Sequence, residues 1–317
     1  MSPFPLLRLP GVVLCEIFKS LNVGEKIKLS LSSKKVSIQI NMARLYSQKV
    51  IVDLDCSKQK IEVRSENDGD AFDIFICPDF GKTPSSNTQL VSIALTRYTL
   101  RVTSNREEIK TFWKNNQKEG YLSVIRHLLK MFQCRISTYS DCFYSDLFQP
   151  TISMLFDLQA EFKMLCIRPK GSEDENLLWN KISSNLELVE CLISYSSVVP
   201  DFRPVFNSWP QEISIWCSDW FTLESLLACP CTTITLYHSH LENKDLDKVL
   251  KKWTSGGFPN LERLEIYSQN FKNNGTTILG MNFRELHGIV IQTDDGFKTA
   301  IIKLGPDSIK MSMSPFQ

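Results

Sequence analysis

Few side chains in this sequence could do chemistry, and the most suggestive stand close together: Cys229-Pro230-Cys231, followed by His238-Ser239-His240. Two thiolates and two imidazoles suit zinc, and histidines two residues apart share one face of a strand. The spacing argues against a site. One residue separates the members of each pair, where zinc pairs ordinarily have about two to five. Cys231 also falls in an apolar strand pattern ahead of Ile234 and Leu236, which makes it a core residue. No metal is expected.

Catalytic patterns are missing too. The chain has no G-x-S-x-G elbow, no G-x-x-x-x-G-K-[ST] phosphate loop and no G-x-G-x-x-G fingerprint. Its four histidines (127, 238, 240 and 287) form no nucleophile–base pattern, and His127, among Leu122, Ile125, Leu128 and Leu129, reads as a helix residue at the edge of a core. A hydrolase using Cys142 or Cys217 has nothing to recommend it. The expectation is a protein with no cofactor that is not an enzyme.

The elements that must position any site belong to a chain of 317 residues, long enough for two or three structural units. Its 36 basic and 35 acidic residues nearly cancel, and no segment is strongly basic, which disfavours a nucleic-acid binder. The apolar stretch Leu9–Cys15 is broken by Pro10 and Gly11, unlike a secretory signal, and no run is long enough to span a membrane. The ten cysteines are mostly scattered singly in apolar segments. They read as reduced thiols of a cytoplasmic or nuclear protein.

Periodicity then divides the chain. Leu14, Ile17, Phe18 and Leu21 lie on one helical face, with Pro10 suited to the first helical position and Asn22-Val23-Gly24 as a break. A second helix is expected over Glu25–Leu31. A third, capped by Ser32 or Ser33, carries Val36, Ile40 and Ala43 on its apolar face. Alternation follows in Val50–Leu54, Lys60–Ser65, Phe72–Cys77, Val91–Leu95 and Tyr98–Thr103, with a hairpin turn at Asn67-Asp68-Gly69-Asp70 and a loop over Gly81–Thr88.

Beyond residue 103, helices alternate with short strands. Leu246, Val249, Leu250 and Trp253 form a buried helical stripe, stopped by Gly256-Gly257. Leu261-x-x-Leu264-x-Ile266 then fits the strand of a leucine-rich repeat. Looser copies stand at 131/134/136, 162/165/167, 210/213/215, 231/234/236 and 286/289/291, so an irregular repeat with parallel strands is expected. The fold class is α+β: a three-helix unit (3–46), a small antiparallel β region (49–103), an irregular repeat-like α/β domain (104–304) and a disordered tail (305–317).

Leu9-Pro10, Ile17-Phe18, Leu21 and Leu29-Ser30-Leu31-Ser32-Ser33-Lys34, in that order, resemble the F-box. Where many F-boxes carry a basic residue and a tryptophan, this chain has Ile38-Gln39-Ile40. Ile234-Thr235-Leu236-Tyr237, Leu241–Leu246, Trp253-x-x-Gly256 and Leu261–Ile266 are similar to the F-box-associated domain of the large nematode F-box families. The resemblance implies a non-catalytic adaptor that docks on a Skp-type protein, and through it a cullin, and presents a target for ubiquitination. By position the docking residues would be Leu9, Pro10, Leu14, Ile17, Phe18, Leu21, Leu29 and Leu31. Target-binding candidates are Trp216, Trp220, Tyr237, His238, His240 and Tyr267. The alternative is a repeat-like interaction module that joins no ligase.

Overall fold

The structure is a computed structural model. It describes residues 8–32, 34–43, 50–66, 69, 71–79, 88–92, 99–104, 107–114, 116–132, 134–140, 142–168, 173–195 and 205–315. The chain divides into two compact units, Met1–Lys163 and Met164–Gln317. Among the described residues no helix is long and apolar enough to cross a membrane.

The first unit opens with helices α1 (Gly11–Ser20), α2 (Val23–Ser32) and α3 (Lys34–Ala43). Pro10, with φ −54° and ψ 144°, precedes α1 as its flanking residue instead of occupying the first turn. The expected break at residues 22–24 is a helix start. Asn22 Oδ1 accepts from the Glu25 amide at 2.8 Å and Glu25 Oε2 accepts from the Asn22 amide at 3.0 Å, a reciprocal cap. Gly24 therefore lies inside α2, and its role is close approach: a Cβ there would sit 2.4 Å from the Phe72 ring. Ser32 closes α2; Ser33 lies outside the described residues.

Strands β1 (Val50–Asp55), β2 (Lys60–Ser65), β3 (Ala71–Pro78), β4 (Thr88–Ser92), β5 (Thr99–Ser104) and β6 (Glu108–Trp113) follow, then helix α4 (Gln117–Phe132), strand β7 (Arg135–Thr138) and helix α5 (Phe148–Asp157). The sheet order is β7-β1-β2-β3-β6-β5-β4. The region is not purely antiparallel. β1 pairs with β7 and β3 with β6 in parallel, because the β4–β5 hairpin lies at the outer edge and the chain returns to lay β6 beside β3. The boundary expected at 103/104 falls inside the paired strands β5 and β6. Most of the 67–70 turn, residues 81–87 and residues 93–98 lie outside the described residues.

Strand β8 (Phe162–Ile167) carries the division between units. The second unit continues with α6 (Glu173–Ser183), β9 (Val189–Ser194), β10 (Glu212–Ile215), α7 (Leu223–Ala228), β11 (Thr233–Leu236), α8 (Asn243–Thr254), β12 (Arg263–Tyr267), β13 (Val290–Gln292), β14 (Lys298–Gly305) and β15 (Ser308–Pro315). Strands β9 to β12 run parallel, in sequence order; β15, β14 and β13 then extend the sheet antiparallel from β12. The α8 stripe Leu246, Val249, Leu250 and Trp253 is fully buried, and Gly256 ends the helix at φ +80°.

The expected disordered tail is strand β15, paired on both sides. Residues 309–312 alternate with period two: Ile309 and Met311 point into the core at 1% exposure each, while Lys310 and Ser312 face the other way. Gly305 permits the tight turn into it, since a Cβ there would meet Ser308 Oγ at 2.4 Å.

Candidate functional site

Helices α1 to α3 pack on one another and on the rest of their unit. Leu14, Phe18 and Leu31 are core residues, between 1% and 7% exposed, so these three expected docking residues hold the helices together and cannot touch a partner as placed. Leu9, Ile17, Leu21 and Leu29 are half-buried and Pro10 is exposed. The surface also carries apolar side chains that no motif singled out: Val12 and Val13 on α1, Ile38 and Met42 on α3. Pro10, Val13 and Ile17 are spaced three and four apart, so they form one stripe beside the buried Leu14–Phe18 face.

Polar contacts fix this helical unit to its base. Ser30 Oγ donates to the Ile27 carbonyl at 2.7 Å, so its 2.8 Å contact with His127 Nε2 is an N–H donated by the imidazole. His127 is not at the edge of a core but within it, 3% exposed, and burial pushes its pKa down to about 4, with a small push from Lys130. The Asn41 amide donates to the Lys130 and Met131 carbonyls at the end of α4, at 2.7 and 3.1 Å. A Ser–His contact of this kind is a structural tie: the serine proton is already given to a carbonyl.

Nothing in the second unit assembles a metal site from the suggestive pairs. Cys229 and Cys231 are buried before β11, and His238 and His240 are exposed beyond its far end, about 20 Å along an extended strand. Among the described residues no three His, Cys, Asp or Glu side chains cluster to hold a metal. Cys142 is fully buried; its thiol donates to the Leu54 carbonyl at 2.7 Å and accepts from the Cys56 amide at 3.2 Å. Burial holds the Cys217 thiol above its ordinary pKa.

What the second unit does assemble is a row of rings. Register places Ser194, Ile215, Leu236 and Ile266 side by side, so the next residue of each strand forms one line across the sheet: Tyr195, Trp216, Tyr237 and Tyr267. Their ring centroids are 5.6, 4.7 and 4.7 Å apart and nearly parallel, at 20°, 19° and 15°. Alternation explains the exposure. Ile213, Ile215, Ile234, Leu236, Leu264 and Ile266 face the buried side, and the ring-bearing positions face the other. Trp216 is 43% exposed.

Three of the expected target-binding residues are thus brought together, and three are not. Trp220 belongs to a separate aromatic cluster with Phe206 and Phe221. His238 turns the chain at φ +54°, exposed just past Tyr237. His240 is exposed two residues on, its carbonyl accepting from Asn270 Nδ2 at 3.0 Å. Tyr195 was missed because β9 ends in Ser194 where its neighbours have Ile or Leu, and a template of three apolar positions passes over it.

Beside the row sits a charged cluster. Glu265, 3% exposed, accepts from Arg263 Nη2 at 3.0 Å, from Lys310 Nζ at 2.5 Å and from the Tyr267 hydroxyl. Burial alone would raise this carboxyl, but these bonds outweigh it and hold it below the usual carboxylate range. Lys310 Nζ also lies 5.7 Å from the Tyr267 ring centre.

Comparison with known families decides what these two surfaces belong to. Residues 6–48 match the F-box domain, and residues 201–266 match the family described as F-box associated. The chain carries an F-box and an F-box-associated domain. The first match covers α1 to α3; the second runs from before β10 into β12, ending at Ile266, and includes Trp216 and Tyr237. Over 289 residues, 89% of this chain and 79% of the relative, it is 25% identical to F54H12.5, an uncharacterized protein of Caenorhabditis elegans. No solved structure matches at a significant level.

Proposed function

We propose that this chain is the target-recognition adaptor of a Skp–cullin–F-box ubiquitin ligase, working in the cytoplasm or nucleus. The observation that carries the reading is the F-box match on a helical unit with an apolar outer stripe of exposed Pro10 and Val13 and half-buried Ile17. A short helical unit with such a surplus suits a partner. The Skp-type adaptor would cover this stripe with Leu9, Leu21 and Leu29 at its margins. Leu14, Phe18 and Leu31 would act through the fold. The repeat-like sheet of the second unit would hold the target on its ring-bearing face. The chain then supplies proximity: it raises the target's local concentration near a charged conjugating enzyme, and needs no nucleophile of its own.

The test is co-purification with a Skp-type adaptor, wild type against Leu9→Ala/Pro10→Ala/Ile17→Ala. Stoichiometric binding that is lost in a mutant with unchanged circular dichroism supports the ligase reading. A folded wild type that binds no adaptor sinks it and leaves a free-standing interaction module.

A further inference from the structure

The ring-bearing face of the second unit has a chemistry that narrows what it can hold. In the row Tyr195–Trp216–Tyr237–Tyr267 each ring covers the face of the next, so between its two ends the row presents ring edges. Ring edges are the positive side of the aromatic quadrupole and meet carboxylates and carbonyls well. A stack this close leaves no slot for a nucleic-acid base or a sugar ring, which bind to open aromatic faces. The backbone bond from Tyr195 to the Ile167 carbonyl repeats the bond from Tyr237 to Ile215, and so sets Arg168 at the near end of the row.

At the far end the register carries the same face across β12, β15 and β14. Glu265 pairs with Lys310 and Lys310 with Lys303; one row over, Arg263 leads through Ser312 to Ile301, which faces Val290 on β13. Among the described residues, the two carboxylates on the strands of this face are Glu265, buried between Arg263 and Lys310, and Glu212, half-buried. Among the described residues the cations are Arg168, Arg263, Lys310 and Lys303, the last exposed. Ile301 and Val290 are 38% and 65% exposed. The face therefore runs from aromatic, through cationic, to aliphatic.

We propose that this face binds an acidic protein segment of the target, with its carboxylates on Lys303, Lys310 and Arg263 and its apolar side chains on the ring edges and on Ile301 and Val290. The assignment rests on the adaptor reading only for the word target; the charge and apolar complementarity stand without it.

The experiment uses the full chain and three fluorescent probes: a glutamate–tyrosine copolymer, a lysine–tyrosine copolymer and oligothymidine. Anisotropy is read for wild type, Lys303→Glu, Lys310→Gln (which keeps a donor for Glu265), Trp216→Ala and a charge-matched control, Lys118→Glu on α4. The glutamate copolymer should bind, weakening about tenfold in Lys303→Glu and severalfold in Lys310→Gln and Trp216→Ala, with no change in the control. Equal binding of the lysine copolymer, equal loss in the control, equal dependence of oligothymidine on Lys303, or no binding of any probe overturns the proposal. Adaptor co-purification on the same preparations separates the two readings. Its loss alone sinks the ligase role, and its survival beside a charge-blind face sinks the acidic partner.

Discussion

The two candidate surfaces are built on opposite logic. On the helical unit the motif is divided: Leu14, Phe18 and Leu31 are core, while Pro10 and the half-buried Ile17 join Val13 in an apolar stripe beside them. On the second unit the repeated pattern encodes the core of the sheet, and the position just after it, of no fixed type in any template, carries the rings. A motif can thus mark a surface by specifying the scaffold beneath it. The polar anchoring differs in the same sense. The helical unit is tied by a buried Ser30–His127 bond, and the sheet face by an ion cluster open to solvent on its cationic side.

The largest effect should come from breaking the scaffold of the first surface. Phe18→Ala removes a 1% exposed ring, and truncations of that kind cost about 3–5 kcal/mol. Val13→Ala, half-exposed on the same helix, should cost under about 0.5 kcal/mol. Urea denaturation separates them, and adaptor binding should then reverse the contrast: Val13→Ala weakens binding in a protein that is still fully folded. If Val13→Ala proves as destabilising as Phe18→Ala, the distinction between scaffold and surface on α1 is wrong.

Acid should loosen the helical unit specifically. With its pKa at about 4 in the folded chain and 6.5 as the ordinary value, His127 takes up a proton more readily when unfolded. Stability linked to its neutral form is present above pH 6.5 and is lost as pH falls toward 4. At about 1.4 kcal/mol per pH unit this is about 3 kcal/mol. Carboxylates titrate in the lower part of the same window, so the measurement is the difference between wild type and His127→Gln. That difference should shrink between pH 6.5 and 4. A constant difference would show that the buried bond to Ser30 is not charge-sensitive.

Much of this architecture was legible beforehand, for identifiable reasons. Helices over 11–43, the strand at 60–65 and the α8 stripe follow from periods of 3.6 and 2 that the burial pattern repeats, whereas the strand at 50–55 is buried at every position and is marked by its Val and Ile content instead. The β15 strand was hidden because its composition of Ser, Lys and Met reads as tail, although its alternation was present. Gly24 reads as a breaker in sequence because the ring it must accommodate, Phe72, is 48 positions away. Tyr195 and the Lys310–Glu265 pair were out of reach for the same cause. Which residues stand side by side on a sheet is decided by strand order and register, and here β15 sits beside β12, not beside β14 alone.

On the second surface the effects should be smaller, because its key groups are partly solvated. Glu265→Gln leaves Arg263 and Lys310 able to rehydrate and should cost about 1.5–3 kcal/mol at pH 7, the scale of hydrogen bonds to a charged group. Since Glu265 is held below its ordinary pKa, its contribution is present above about pH 4.5 and lost as pH falls through its folded value. The wild-type advantage over Glu265→Gln should therefore fade in acid, where the His127 difference is also closing. If it does not fade, the cluster is held by packing and the charges are incidental.

The sharpest test of the contrast on the second surface is Trp216→Ala. Trp216 stacks on both Tyr195 and Tyr237, yet it is 43% exposed and sits on the face that the core does not need. Stacked pairs contribute about 0.5–1.5 kcal/mol each, so two partly solvated stacks should make the loss about 1–2 kcal/mol. Trp253→Ala, which empties a 1% exposed site under α8, should cost about 3–5 kcal/mol. Denaturation midpoints of the two variants measure the gap directly. A gap of that size means the row is maintained for something other than stability, as a recognition surface requires. A Trp216→Ala loss approaching that of Trp253→Ala would instead make the row a second core, sheltered from any partner.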